Sequence, residues 1–424
     1  MNPRTCLLAC SVCAFFAISS NAIAQSPGCA ALQGAPAFDL AHGTTTGLFP
    51  SSQGKFFYRG EQVGAAWSTG DFMDFQVWLI GTSADQKVLD SGNTNQGSYT
   101  AALNVPNNYF AVQLTNTDSQ NDDFGINWTC VPKAGLTHDF NSDANSDVLL
   151  RNNGGAVALW LMNGSSILSS AGVATLATSY SIIGQHDFNG DGNADLVWRD
   201  SSGNVSMWFM NGAAVSSTAA VGNLTSNWTL YGTGDLNGDG KGDLLWRDAN
   251  TGNVAVWFMN GATVASSTSL GTVPTSWTIV GEGSNFILWR DSAGDIALWG
   301  VQSSFVTNSS ALGKVTSNFV VQGVGDFNGD DAVDILWRDT NSGALSIWFT
   351  NGTQVTSGAS VGTLPSNWSV AQVGDYNGDG KSDILLLDNV GDLAVWEMNG
   401  ATVSSSLAIS NIGTTWQVQN TNAN

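Results

Sequence analysis

Five nearly identical nine-residue segments constrain the fold of this 424-residue chain more than any other feature. In every copy the first, fifth and ninth residues are Asp and the third is Asn. The copies read DFNSDANSD from Asp139, DFNGDGNAD from Asp187, DLNGDGKGD from Asp235, DFNGDDAVD from Asp326 and DYNGDGKSD from Asp375. Oxygen ligands at alternate positions of a short loop are what Ca²⁺ requires, with a backbone carbonyl usually at the seventh position. The segments therefore predict about five Ca²⁺ sites.

Each predicted site takes its ligands from positions 1, 3, 5, 7 and 9 of one loop, with position 7 contributing its backbone carbonyl. The predicted ligands are Asp139, Asn141, Asp143, Asn145, Asp147, Asp187, Asn189, Asp191, Asn193, Asp195, Asp235, Asn237, Asp239, Lys241, Asp243, Asp326, Asn328, Asp330, Ala332, Asp334, Asp375, Asn377, Asp379, Lys381 and Asp383. Without metal these carboxylates repel one another at short range, so we expect the metal to stabilise the fold.

The spacing of the loops predicts six structural units. Loop starts lie 48 residues apart at 139, 187 and 235, and 49 apart at 326 and 375. A further unit without a loop fits between them, because the 18 residues from Trp228 to Trp246 shrink to 12 from Trp277 to Trp289. Phe286 stands where the ninth-position Asp would be. The fourth unit has therefore lost six residues and its metal site.

A period near 48 without a helix signal is typical of a four-stranded propeller blade. The predicted fold is all-β, with a six-bladed β-propeller over residues 134–424. TTWQVQN, from Thr414, matches a first strand and should pair into the first blade to close the ring. Asn-Gly pairs after the third strand predict type I′ hairpins. They are Asn163-Gly164, Asn211-Gly212, Asn260-Gly261, Asn351-Gly352 and Asn399-Gly400, while Gln302-Ser303 replaces the pair in the fourth unit.

These units resemble the FG-GAP/VCBS-type repeats of integrin α-subunit propellers and of calcium-containing propeller lectins of fungi and bacteria. The family loop, D-x-D/N-x-D-G-x-x-D, is matched fully by the copies at 187, 235 and 375. The copies at Asp139 and Asp326 carry Ala144 and Asp331 in place of the sixth-position Gly. The resemblance implies the propeller fold and bound Ca²⁺. It points to adhesion, sugar binding or scaffolding as function classes.

The N-terminal residues predict export. Residues 1–24 have a basic start, an apolar core and a small-residue cleavage site at Ala22-Ile23-Ala24, as a signal peptide does. Cleavage there leaves Cys29 and Cys130, which we predict to form a disulfide in a secreted, extracellular protein. Alternating apolar strands between glycine-rich turns predict a small β-sandwich domain over residues 25–133.

Charge and composition exclude several function classes. A net charge of −21 argues against nucleic acid and anionic membrane surfaces as partners, and no later segment is apolar enough to be transmembrane. The three histidines are His42, His138 and His186, and the last two precede loops as variants of a repeat position. No serine, thiol or zinc-protease motif occurs in the sequence. The protein is therefore not expected to be an enzyme, although a glycosidase-like pair of carboxylates stays open.

Trp-Arg pairs recur at one place in the second strand of the units. They are Trp198-Arg199, Trp246-Arg247, Trp289-Arg290 and Trp337-Arg338, while Arg151 stands alone at the same place in the first unit. One interpretation is packing between blades, with each Arg paired to an Asp of the next blade and stacked on an aromatic ring. The other is a ligand site in which Trp packs on a sugar and Arg binds its hydroxyl or carboxylate groups.

The sequence thus favours a secreted, calcium-stabilised recognition module for extracellular glycans. A module that binds cell-surface proteins, for adhesion or as a scaffold, is the alternative. A polysaccharide-active enzyme is the third possibility.

Overall fold

The computed structural model describes residues 137–420 except 238, 284–285, 303–304 and 331, together with Thr45 and eight strands between residues 38 and 131. The predicted signal peptide, His42 and Cys29 lie outside the described residues. In the part of the chain that is described, no helix is long and apolar enough to cross a membrane.

The repeats form six four-stranded antiparallel sheets. Their strands are β9 (Val148–Asn152), β10 (Ala156–Asn163), β11 (Ser166–Thr175), β12 (Tyr180–His186), β13 (Asp195–Asp200), β14 (Asn204–Asn211), β15 (Ala214–Asn223), β16 (Trp228–Gly234), β17 (Asp243–Asp248), β18 (Asn253–Asn260), β19 (Thr263–Thr272), β20 (Trp277–Gly283), β21 (Phe286–Asp291), β22 (Asp295–Gln302), β23 (Phe305–Lys314), β24 (Phe319–Gly325), β25 (Asp334–Asp339), β26 (Ala344–Thr350), β27 (Val355–Thr363), β28 (Trp368–Gly374), β29 (Asp383–Asp388), β30 (Asp392–Asn399), β31 (Thr402–Asn411) and β32 (Trp416–Val418). Blade 1 has the order β11-β10-β9-β32, and blades 2 to 6 each take the next four strands in turn, from β12 to β31. The predicted six-bladed β-propeller is confirmed.

The C-terminal strand closes the ring, as the sequence predicts. β32 pairs antiparallel with β9, with Trp416 opposite Asn152 and Val418 opposite Leu150. Blade 1 therefore combines three strands from the start of the repeats with one from the end. This pairing covers the sheet edge that β9 would otherwise expose.

Apolar residues are buried between the blades rather than within them. Six clusters alternate with the six sheets, each shared by two neighbouring blades. Between blades 3 and 4, for example, Leu245 and Val256 pack against Ile287 and Trp289. A single blade buries neither face alone, so the closed ring is the smallest stable unit.

The fourth blade lacks its loop, as the sequence predicts. β20 and β21 are joined by residues 284–285 alone, with Gly283 opposite Phe286 in the pairing register. The Phe286 ring lies over Gly283, where an added Cβ would be 2.5 Å from the ring. An apolar contact therefore occupies the place where the other blades have a carboxylate.

The turns between third and fourth strands differ from the predicted type I′ geometry. Asn260 pairs with Thr263, so the turn residues are Gly261 and Ala262, and blades 1, 2 and 6 repeat this register. Gly261 has a φ of 60°, whereas the Asn before it is not in the positive region. A positive φ at the first turn residue alone is the type II′ pattern. The prediction is wrong because the Asn completes the strand ladder instead of entering the turn.

The N-terminal strands are β1 (Phe38–Leu40), β2 (Lys55–Phe57), β3 (Gln62–Ala66), β4 (Met73–Leu79), β5 (Gln86–Thr94), β6 (Ser98–Ala102), β7 (Asn108–Asn116) and β8 (Phe124–Val131). They form two antiparallel sheets of four strands, in the orders β1-β8-β3-β6 and β2-β7-β4-β5. Val63 and Ala65 in β3, like Val112 and Leu114 in β7, are buried at alternating positions. This part is therefore all-β, and the disulfide-bonded sandwich stays a prediction.

Candidate functional site

The ninth Asp of each loop links the loop to the third strand of its own blade. Asp195 Oδ2 accepts the N–H of Phe188 at 3.0 Å, and its Oδ1 accepts the N–H of Met210 at 2.9 Å. Equivalent pairs of bonds, 2.8–3.1 Å long, occur at Asp147, Asp243, Asp334 and Asp383. All five side chains are fully buried. This Asp therefore satisfies two backbone amides, whatever else it binds.

The other loop residues hold the loop in a compact shape. Asp187 Oδ2 accepts the N–H of Gly192 at 2.7 Å. Asn189 Nδ2 donates to one oxygen of Asp191 at 3.0 Å, and the other oxygen accepts the N–H of Asn193 at 2.9 Å. The side chains at positions 1, 3, 5 and 9 are thus ordered by bonds within the loop and blade.

Burial raises the pKa of the loop carboxyls. It raises the pKa of Asp187 to about 7 and that of Asp195 to about 9, and the nearby Asp191 carboxylate adds to both. The pKa is raised to about 7 at Asp139, Asp334 and Asp375, and to about 8 at Asp147, Asp243 and Asp383. Ionising these groups without a counter-charge is unfavourable, so a bound cation would stabilise the loops.

The donor atoms of the loops are those of a hard divalent cation site. In the first loop Asn141 Oδ1 is buried and has no hydrogen-bond partner. Within the described ranges, however, no three His, Cys, Asp or Glu side chains are grouped as a metal site. The third-position amide donates to the fifth-position carboxylate at 2.9–3.2 Å in four loops. A bound Ca²⁺ would exchange these bonds for metal–oxygen bonds, and the predicted ligand set fits it chemically.

The loops also bond to one another across blade boundaries. In four of the five loops the N–H at position 8 donates to the carbonyl at position 1 of the loop before it, at 2.6–2.7 Å. The pairs are Ala194 to Asp139, Gly242 to Asp187, Ser382 to Asp326 and Ser146 to Asp375. The loops of blades 5, 6, 1, 2 and 3 thus form a continuous arc, which the missing loop of blade 4 interrupts.

Two histidines precede loops and pack on the next blade. An added Cβ at Gly242 would lie 2.7 Å from the His186 ring. In blade 6 the residue before the loop is Gly374, and Ser146 of the next blade fills the space that a histidine ring fills elsewhere. A Cβ added at Gly374 would lie 2.5 Å from the Oγ of Ser146. Burial lowers the pKa of His138 and His186 to about 4, so both rings are neutral at pH 7. Their role in this structure is complementary packing.

Sequence reasoning missed a buried acid on the inner strands. Glu282 in β20 is fully buried beside Gly232, where an added Cβ would lie 1.8 Å from its Cδ. Its Oε1 accepts the N–H of Thr233 at 3.1 Å, while its Oε2 has no partner. Burial raises the pKa of Glu282 to about 8. The only signal in the sequence is that this repeat position carries Gln185, Thr233, Val324 or Val373 in other blades.

Glu282→Gln is expected to stabilise the protein above neutral pH. A folded-state pKa of about 8, raised from 4.5, contributes stability that is present below pH 4.5 and is lost as the pH rises through 8. The Gln amide does not titrate, and its oxygen still accepts the N–H of Thr233. The free energy of unfolding of the variant should therefore exceed that of the parent protein by on the order of 2 kcal/mol at pH 9 and by nothing at pH 4. Urea unfolding at both pH values measures the difference. Equal pH dependence of the variant and the parent protein would disprove the assignment.

The propeller arginines join neighbouring blades. Each donates from Nη1 to the carbonyl of the first residue of the next blade's first strand, as Arg199 does to Trp228 at 2.6 Å. The other pairs are Arg151 to Tyr180, Arg247 to Trp277, Arg290 to Phe319 and Arg338 to Trp368. The Arg247 guanidinium also lies 5.0 Å from the ring centroid of Trp289. The expected stacking is present for Arg151, Arg247 and Arg290, whereas the acceptors of all five arginines are backbone carbonyls rather than the expected Asp carboxylates.

The predicted ligand residues Trp198, Trp246, Trp289 and Trp337 are each no more than 1% exposed. Each packs against the third-strand Trp of its own blade, with ring centroids 4.8–5.3 Å apart. Trp246 faces blade 2, while its neighbour Arg247 reaches blade 4. The Trp and the Arg of one pair therefore face two adjacent gaps between blades rather than one pocket.

Two equivalent grooves open beside these tryptophans, each with a cavity of about 260 Å³. Groove A lies between blades 2 and 3 and is lined by Leu224, Trp228, Trp246, Ala255, Trp257, Ser267, Thr268 and Ser269. Groove B lies between blades 4 and 5 and is lined by Lys314, Val315, Thr316, Phe319, Trp337, Ser346 and Trp348. Both combine a floor of aromatic rings with a polar rim. Trp246 and Trp337 thus line cavities, and a ligand role for the Trp-Arg pairs stays a prediction.

Comparison with known proteins identifies the repeats. Residues 187–246 and 326–386 match the FG-GAP-like repeat. No curated protein matches the chain. The fold is similar to a chain of a nidogen–laminin complex, at 14% identity and a TM-score of 0.41 over 62% of this chain and 92% of that one. It is also similar to a chain of the Photorhabdus luminescens Tc holotoxin pore, at 14% identity and a TM-score of 0.42 over 69% of this chain and 14% of that one.

Proposed function

We propose that this chain is a secreted, calcium-stabilised recognition module for extracellular glycans. It carries FG-GAP-like repeats at residues 187–246 and 326–386 of a six-bladed β-propeller. The observation that carries the proposal is the pair of equivalent grooves between blades. A pyranose has one apolar C–H face and a polar rim, and each groove offers aromatic rings beside hydroxyl groups.

Groove A illustrates the match. Trp228 and Trp257 are half-buried, so each ring leaves part of its surface open to a ligand. Ser267 is exposed on β19 at the same groove and supplies a hydroxyl group for hydrogen bonds, while the hydroxyl of the nearby Ser269 donates to Asn253 Oδ1 at 2.6 Å. A cavity of about 260 Å³ accommodates one sugar ring rather than a long chain, so we expect weak single sites that gain affinity on a multivalent surface.

The calcium role in this proposal is structural. The ninth-position carboxyls are buried and bonded to backbone amides of their own blade, and the loops form an arc that spans five blades. Ca²⁺ would neutralise these carboxylates and hold the strands that form the grooves. Export through the predicted signal peptide would place the chain where Ca²⁺ is abundant and where Cys29 and Cys130 can join.

Groove filling tests the proposal. Ala255→Leu places an isobutyl group in groove A and Ser346→Leu does so in groove B, so each should lower the stoichiometry for a glycan ligand by one site. Ser266→Leu is the matched control, because Ser266 is exposed on the same strand as Ser267 and lies one residue from it, on the opposite face. A glycan array followed by calorimetry gives ligand and stoichiometry.

Two results would contradict the proposal. Unchanged binding in the double variant would place the glycan site elsewhere. Retention of a cell-surface protein, with no glycan bound at millimolar concentration, would favour the adhesion alternative. Melting curves of all variants show whether a lost site reflects filling or unfolding.

A further inference from the structure

The two grooves have equivalent aromatic floors but differ in charge at the rim. The last residue of the preceding blade's outer strand is Asn223 at groove A and Lys314 at groove B. Lys314 lines groove B, together with Thr316 of the following turn. No cation is among the residues that line groove A, whose rim has Ser267, Thr268 and Ser269 instead.

The residue opposite each rim position strengthens this difference. Asn223 pairs in register with Asn204, and its Nδ2 donates to Asn204 Oδ1 at 2.9 Å. Lys314 pairs in register with Asp295, and its Nζ lies 3.2 Å from Asp295 Oδ2. A neutral amide pair at groove A is therefore replaced by an ion pair at groove B.

The ammonium group of Lys314 is available to a ligand. Its side chain is 58% exposed, and that of Asp295 is 47% exposed. Exposed ion pairs of this kind contribute about 0–1 kcal/mol, so exchanging Asp295 for another carboxylate costs little. The long side chain can follow a ligand carboxylate at the rim while a sugar ring stacks on Trp348 or Phe319.

We propose that groove B selects acidic sugars, such as hexuronic acid residues, through Lys314, whereas groove A binds neutral ones. This inference rests on the proposed glycan-binding function. It goes beyond that function because one propeller would then recognise two sugar chemistries in a single polysaccharide, with the grooves two blades apart.

The test uses one matched pair of ligands, a hexuronic acid oligosaccharide and its carboxyl-reduced neutral counterpart. In the Ala255→Leu background, which leaves groove B, the acidic ligand should bind three- to tenfold more tightly at low salt. Lys314→Asn should remove this preference, so that the acidic and the neutral ligand bind equally. Asp295→Asn should increase it, because the competing carboxylate is gone. High salt should reduce the preference for the acidic ligand wherever Lys314 is present.

The reciprocal exchange is made in groove A. In the Ser346→Leu background, Asn223→Lys should create a preference for the acidic ligand where the parent has none. Equal binding of both ligands at groove B, unaffected by Lys314→Asn, would overturn the inference and leave the proposed glycan-binding function intact. Failure of both ligands at both grooves would instead remove the proposed function and the inference with it.

Discussion

Removal of Ca²⁺ is expected to lower the melting temperature of the purified protein by roughly 10 °C or more. Each occupied loop should add RT ln(1 + [L]/Kd), about 2.7 kcal/mol at a hundredfold excess of free Ca²⁺ over Kd. Several such loops, bonded to one another in an arc, would contribute a large part of the stability of the ring. The melting temperature of a domain of this size changes by about 2–4 °C per kcal/mol of stability, so even partial loss of the bound Ca²⁺ is easily measured.

The effect of Ca²⁺ should also grow with pH. Without metal, burial raises the pKa of loop carboxyls such as Asp187, Asp195, Asp243 and Asp375 to about 7–9, above their ordinary value of 3.8. A raised folded-state pKa means that the associated stability is present below pH 4 and is lost as the pH rises through 7 to 9. Ca²⁺ binds the ionised form, so the gap between calcium and EDTA melting curves should widen from pH 5 to pH 8. Burial lowers the pKa of His138 and His186 to about 4, so both rings stay neutral in the folded protein over this pH range.

Differential scanning calorimetry of dialysed protein, with and without EDTA, measures both quantities. Elemental analysis should find five metal ions per chain rather than six, because blade 4 has no loop. Mg²⁺ at the same concentration is the control, since it demands a smaller octahedral site than these loops offer. Melting that is unchanged after exhaustive chelation would refute the calcium role.

Asp243→Ala is expected to destabilise the protein by about 3 kcal/mol or more even without Ca²⁺. Its two oxygens accept the N–H groups of Leu236 and Met259, at 3.0 and 2.9 Å, in a fully buried site. Removing the carboxyl leaves both amides without an acceptor, and each such group costs about 1–3 kcal/mol. The loss of metal binding would come on top of this.

Asp239→Ala in the same loop is the matched variant. Among the described residues, its carboxylate accepts two hydrogen bonds, both exposed, from Asn237 Nδ2 at 3.2 Å and from the Lys241 N–H at 3.0 Å. It should therefore cost less than about 1 kcal/mol in EDTA and about 2.7 kcal/mol with Ca²⁺ at a hundredfold excess over Kd. Chemical unfolding of both variants in EDTA separates the two roles. If they lose the same stability in EDTA, the ninth-position Asp has no structural role of its own.

Repetition made the fold predictable from the sequence. The period of the loops, the Trp positions and the shortened fourth unit indicated six blades, and the terminal TTWQVQN indicated how the ring closes. Each of these signals lies within one unit, where strand, loop and turn residues follow in a fixed order. The hairpins were assigned wrongly because one residue of register decides whether Asn260 or Ala262 enters the turn, and that register depends on the neighbouring strand.

The candidate site was predictable only in part, because its contacts join different units. Residues that meet across a blade boundary, such as Glu282 and Gly232, are 50 positions apart, and every unit offers similar alternatives. The sequence placed Arg247 at a repeated position but did not identify the carbonyl of Trp277 as its acceptor. Backbone acceptors leave no trace in residue identity, so such contacts appear only once the blades are packed.

The sequence by itself determined the number of blades, the number of loops and the chemistry of the loop oxygens, because these follow from residue types at fixed spacing. The tertiary structure decided what lies between the blades: the arc of loop hydrogen bonds, the arginine contacts and two grooves with different rims. The physical reason is that a strand alternates its side chains between two faces, and only the packing of neighbouring blades decides which face is filled and which stays open.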